Sequence, residues 1–114
     1  MTYKLFIDDE RFPPDSWVGG NYKIARSSSE AIAFVEDYGM PNFISFDHDL
    51  GGDDTSMRFI GALISMLLDG FVVIPKDFDF YVHSQNPVGA GNIRARMLEI
   101  ISHFGKDVNV CSAK

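Results

Sequence analysis

The stretch "FISFDHDLGG", Phe43 to Gly52, decides how the rest of the chain is understood. Phe43–Phe46 has the short, bulky composition of a buried strand. It runs without a break into Asp47-His48-Asp49 and then into Gly51-Gly52. A buried strand that ends in two carboxylates and an imidazole needs a reason for placing them together. The same pattern recurs: "YKLFI" (Tyr3–Ile7) runs into Asp8-Asp9, and "FDFYVHS" (Phe78–Ser84) ends in His83-Ser84.

Between these strands lie helices with recognisable ends. "SSSEAIAFVEDYG" has serines for an N-cap, an apolar face of Ala31, Ile32, Phe34 and Val35, and Gly39 as stop. "DTSMRFIGALISMLLDG" has Asp54 or Thr55 as cap, with Ile60, Leu63, Ile64, Leu67 and Leu68 at helical spacing. "NPVGAGNIRARMLEIISHFG" has Asn86 as cap, Pro87 at the first helical position and Gly105 as stop. "YKIAR" (Tyr22–Arg26) and "DVNVCS" (Asp107–Ser112) supply two more strands, and "FVVIP" (Phe71–Pro75) is either a covering strand or an apolar loop. Pro13-Pro14 forbid a helix directly after the first strand, so a loop stands there.

Strands alternating with helices imply an α/β fold with a parallel sheet. The expected architecture is a flavodoxin-like three-layer sandwich over residues 1–114 as one domain. Its five-stranded sheet has the order 2-1-3-4-5, with the first helix replaced by a loop. In such sheets ligands bind beyond the carboxyl ends of the strands, where the order reverses. Asp8-Asp9, Asp47-His48-Asp49 and His83-Ser84 therefore fall on one edge.

Composition narrows the classes of function. The formal net charge of -6 excludes an extended nucleic-acid surface, which needs a basic face, but not a single phosphate held through a metal. No apolar run approaches the ~18 residues of a membrane span, and the first residues lack a secretory pattern. Cys111 is the only cysteine, so internal disulfides and cysteine-rich zinc sites are excluded, and a cytoplasmic setting is expected.

Adjacent carboxylates at strand ends repel one another, and a divalent cation between them relieves this. Mg²⁺ takes a few carboxylates and keeps waters for phosphate oxygens. The alternative is a polar loop in which Arg11 neutralises Asp8 or Glu10. Asp-x-Asp-x-x-Gly from Asp47 has the glycine of a calcium loop, but Arg58 falls where the bidentate Glu belongs, which rejects that motif. A haloacid-dehalogenase phosphatase also uses Asp-x-Asp, usually after the first strand of a larger domain. Gly51-Gly52, Ser84 and the amides of the last helix can receive an anion, with Gly89 and Gly91 leaving room for close approach. Helix packing explains those glycines almost as well. Trp17 and Phe12 are expected as loop anchors.

"LFIDDERFPPDSW", "ISFDHDLGG" and "VHSQNPVGAGN" together resemble the signature blocks of the cyclic-phosphate processing receiver-like domains, stand-alone relatives of response-regulator receivers found in bacteria and phages. The resemblance covers nearly the whole chain in order. It implies a receiver fold whose acidic pocket handles a cyclic phosphate on RNA or a nucleotide. Asp8, Asp9 and Asp47 would correspond to the Mg²⁺ pocket of receivers, Asp47 to the phospho-accepting position and Ser84 to the strand-4 hydroxyl. The chain departs from the signalling pattern in lacking the lysine that ends strand 5, where Cys111 and Ser112 stand, with Lys114 at the end. His48, Asp49 and His83 are additions to that pattern.

The expectation is thus a metal-dependent phosphoesterase acting on a nucleotide or RNA-end phosphate. Asp8, Asp9, Asp47 and Asp49 would hold Mg²⁺ or Mn²⁺. Asp47, His48 and His83 would be catalytic, the histidines moving protons. Ser84, Asn86, Gly89 and Arg11 would bind phosphate. The alternative is a non-catalytic receiver-like module that binds a nucleotide or partner protein; phosphorylation at Asp47 is disfavoured by the missing lysine. A monomer or weak dimer is expected.

Overall fold

The structure is a computed structural model and describes residues 2–105. Four short strands form one parallel sheet: β1 (Lys4–Ile7), β2 (Tyr22–Ala25), β3 (Phe43–Phe46) and β4 (Asp79–Val82), in the order β2-β1-β3-β4. Three helices connect or follow them: α1 (Ser28–Tyr38), α2 (Ser56–Leu68) and α3 (Pro87–Phe104). The order matches the first four strands of the expected sheet. The fifth, expected at 107–112, lies outside the described residues, as do Cys111, Ser112 and Lys114.

Local chemistry sets the helix ends. Ser27 accepts the amide of Glu30 (3.1 Å), and the Glu30 carboxylate reaches back to the amide of Arg26 (2.6 Å), close to a capping box. Thr55 caps α2 through the Met57 amide, and Asn86 caps α3 through the Gly89 amide at 3.0 Å, with Pro87 following. The α1 stop requires Gly39 at a φ of 84°, a region glycine enters without steric cost.

One apolar core joins all three helices to the same side of the sheet. Leu5 and Ile7 of β1 and Ile44 and Phe46 of β3 pack with Val35, Phe59, Ile60, Leu63, Ile93 and Met97. Phe59 is fully buried on α2, whereas Leu68, expected on its apolar face, is exposed. The stretch Phe71–Pro75 is a loop that buries Val72 and Ile74. It borders a hollow with Gly39 and Met40, near the helices' carboxyl ends.

The other face of the sheet corrects the three-layer expectation. No described helix covers it; the β1–β2 loop does, through a 3₁₀ turn at Asp15–Trp17. Pro13-Pro14 prevent a helix there, so a single large ring takes the covering role. Trp17 makes edge contacts with Phe6 (5.8 Å), Tyr22 (5.9 Å) and Phe43 (5.8 Å). Phe12 is not an anchor of this kind. It is 73% exposed and lies against the Arg26 guanidinium, which donates to the carbonyls of Asp8 and Arg11 and so fastens the start of the loop.

Truncating Trp17 removes most of this cover. Trp17→Ala is expected to lower the unfolding free energy by about 3–5 kcal/mol, measured by urea denaturation. A loss below about 1 kcal/mol would show that the loop does not hold the face.

Candidate functional site

Ladder hydrogen bonds continue one residue past β1, β3 and β4 and place the polar groups. The Asp8 amide donates to Ala25 (3.1 Å), the Asp47 amide to Ile7 (2.9 Å) and the His83 amide to Phe46 (2.9 Å). Strand alternation puts Phe6, Asp8, Ser45, Asp47 and His83 on the helix-free side. Asp8, Asp9 and Asp47 each offer a carboxylate oxygen, all within 4.8 Å of one another; Asp8 and Asp47 are buried and Asp9 is exposed.

Asp8 has no exposed surface. Burial alone would raise its pKa, but the amides of Arg11 (2.8 Å) and Glu10 (2.9 Å) and the His83 ring (2.9 Å) donate to it and hold it below the usual carboxylate range. Burial pushes the Asp47 carboxyl upward, and the charge of Asp8 adds to the effect. The pair therefore differs in its preference for a proton, although both end adjacent strands.

The two histidines occupy different settings. His83 Nε2 lies 2.9 Å from Asp8 Oδ2, its Nδ1 lies 2.7 Å from Ser45 Oγ, and its ring stacks on Phe6 at 4.7 Å with the planes 1° apart. His48 Nδ1 lies 3.0 Å from Asp49 Oδ1, and Asp49 Oδ2 accepts from the Asn86 amide group at 3.4 Å. These contacts, the imidazole's first, hold Asp49 below the usual carboxylate range. Asp49 stands outside the three-carboxylate cluster.

A cleft of about 570 Å³ opens beside the cluster. Asp9, Asp47 and Asp49 give it an acidic lining, which Arg11, Ser84 and Asn86 share. Glu10 and Gln85 also line it, and nothing in their spacing singles them out. Among the described residues, the lining includes neither His48 nor His83 nor Gly89. Arg11 Nε stands 3.7 Å from Asp8, with the side chain 42% exposed. Gly51, at a φ of 93°, brings the β3–α2 loop against Asp9. Behind it, Asp54 accepts both the amide (2.8 Å) and hydroxyl (2.5 Å) of Ser28 and ties this lip to α1.

The Gly89 amide is spent on the Asn86 cap, and its missing side chain makes room for a ring. A Cβ there would stand 2.6 Å from Cδ2 of His48. Gly89→Ala is expected to expel the imidazole, break its contact with Asp49 and destabilise the fold by about 1–3 kcal/mol. Urea denaturation and the NMR shifts of the His48 ring check this; unchanged ring shifts would refute it.

No curated protein matches the chain significantly. Among solved structures, a fusion that carries the yeast Spc42 trimeric coiled coil is similar with a TM-score of 0.58 at 16% identity, over 98% of this chain and 85% of that one. At that identity the likeness shows the fold alone. The family model of the cyclic-phosphate processing receiver domain matches residues 3–99, which takes in every element from β1 through most of α3. The chain belongs to the cyclic-phosphate processing receiver domain family.

Proposed function

We propose that this domain hydrolyses a cyclic phosphate on a nucleotide or an RNA end, with Mg²⁺ or Mn²⁺ held by Asp8, Asp9 and Asp47. The observation that carries this reading is the grouping of Asp8, Asp9 and Asp47 beside a cleft that Asp9, Asp47, Arg11 and Ser84 line. The donor set suits such an ion. All its atoms are hard carboxylate oxygens, and Asp47 is pushed toward its neutral form by burial and by Asp8, a conflict that a cation removes. When bound, the ion would supply positive charge that neutralises the phosphate oxygens.

The chain's own groups would do the rest. The Arg11 guanidinium offers a planar fork of donors to phosphate oxygens. Ser84 Oγ accepts the Asn86 amide at 3.1 Å, which leaves its own proton free for a phosphate oxygen. Asn86 holds Asp49 and caps α3. The Asp49 carboxylate can only accept, so in a neutral His48 the proton sits on Nδ1 and Nε2 keeps its lone pair. That nitrogen would take the proton of the attacking water as the new P–O bond forms. The cyclic P–O ester bond breaks, and the departing ribose oxygen takes the proton back.

A binding module without turnover is the second reading, and the absence of both imidazoles from the cleft lining favours it. Incubation with 2′,3′-cyclic nucleotides and Mg²⁺ or Mn²⁺ separates the two. Hydrolysis that exceeds a His48→Ala control is expected; stabilisation by the nucleotide without product would instead establish binding alone.

The carboxylate conflict gives a second test. A raised pKa in the folded state means that the Asp47 contribution to stability is full below the unfolded carboxylate value and is lost as pH rises through the folded one. Asp47→Asn is therefore expected to raise the melting temperature of the metal-free protein at neutral pH by several degrees, where about 1 kcal/mol corresponds to ~4–8 °C. The same substitution should abolish stabilisation by Mn²⁺. A metal-free protein that melts lower, with its response to Mn²⁺ intact, would contradict the reading.

A further inference from the structure

We infer that His83 is a positioning residue: with Ser45 it forms a partly buried brace that fixes Asp8 for metal binding, and it carries no proton to or from the substrate. The inference rests on the metal part of the proposed function and concerns the layer beneath it.

Three contacts restrain the ring at once. Nε2 meets Asp8 Oδ2 at 2.9 Å, Nδ1 meets Ser45 Oγ at 2.7 Å, and one ring face lies parallel to Phe6 at 4.7 Å. A carboxylate is an acceptor only, so Nε2 carries hydrogen and, in a neutral ring, Nδ1 accepts from the Ser45 hydroxyl. Both nitrogens are thereby committed to protein partners. The side chain is 15% exposed, and Ser45 is itself buried at 5% exposure. Ser45 repeats the order of a serine–histidine–aspartate triad, but it sits mid-strand in the sheet and is not among the residues lining the cleft. A nucleophile there has no substrate to attack.

What the brace does is select one oxygen of Asp8. Oδ1 receives the amides of Glu10 and Arg11, and Oδ2 receives the imidazole. The carboxylate is fixed through both oxygens, and with Oδ1 taken by two amides the lone pair left for a cation is on Oδ2. Partners of this kind behind a ligand commonly change metal affinity by about 10–100-fold.

Mn²⁺ titration of the full chain, followed calorimetrically, tests this with His83→Ala, His83→Gln and Ser45→Ala. His83→Ala is expected to weaken Mn²⁺ binding by about 10–100-fold, and Ser45→Ala by a smaller factor. His83→Gln keeps an amide donor near the Nε2 position and cannot transfer protons as an imidazole does. It should retain affinity within a few-fold and keep turnover with an unchanged pH profile. Should His83→Ala fail to fold, the other two variants carry the comparison. The inference is overturned if Ser45→Ala and His83→Gln bind as wild type does while His83→Gln loses turnover, because the ring would then be the proton carrier. Wild-type affinity in His83→Ala would overturn it as well. Failure of the wild-type chain to bind Mn²⁺ would bring down the metal reading and the brace together, a result distinct from the others.

Discussion

A carboxylate with no exposed surface stands at the end of the first strand, and much of the molecule is arranged to make that tolerable. Burying an ionised group is costly unless it is paired and hydrogen-bonded. Asp8 obtains amides from the turn that follows it, an imidazole from beyond β4 and a guanidinium at longer range. Each donor has a structural consequence. The amides start the loop across the helix-free face, the imidazole ties β4 to β1 across the intervening strand, and Arg11 is left at the rim of the cleft. The same carboxylate raises the proton affinity of Asp47 beside it. Order around Asp8 and conflict at Asp47 are two results of one buried charge.

The parallel sheet explains why these groups meet at all. Strands that run one way, each followed by a loop or helix, bring every carboxyl end to one edge. Because the β1–β2 connection is a loop held by Trp17, no helix of the described residues covers the face below that edge, which leaves space for Phe6, Ser45 and the His83 ring. A helix packed there would compete for that volume. The departure from a three-layer sandwich and the place of the His83 ring are therefore connected.

Much of this was legible in the residues. Strand order, helix caps at Ser27, Thr55 and Asn86, and the meeting of Asp8, Asp9 and Asp47 all follow from periodicity, capping chemistry and topology. Less visible was the division of labour within the cluster. Asp49 is adjacent to Asp47 by two residues, yet it serves His48 and Asn86 instead of the cluster, because the chain has turned by then. Ser45 looked like an ordinary strand residue, since nothing local reveals that a ring from thirty-eight positions away will reach it. Close approach was expected at Gly89 and Gly91; it is found at Gly89, against the His48 ring, while a Cβ at Gly91 would meet open space. Glu10 and Gln85 reach the cleft through loop geometry that composition does not encode.

The contact between Gly89 and His48 has a consequence for the history of such chains. Two positions forty-one residues apart share one volume, so whatever position 89 gains, position 48 must surrender. Glycine is a poorer helix former than alanine, by up to roughly 0.8–1 kcal/mol in a helix interior, and the imidazole beside Gly89 gives its presence a reason. Drift at one site is thus tied to drift at the other. A lineage that loses the ring is free to mend its helix with alanine, and once it has done so the ring cannot easily come back.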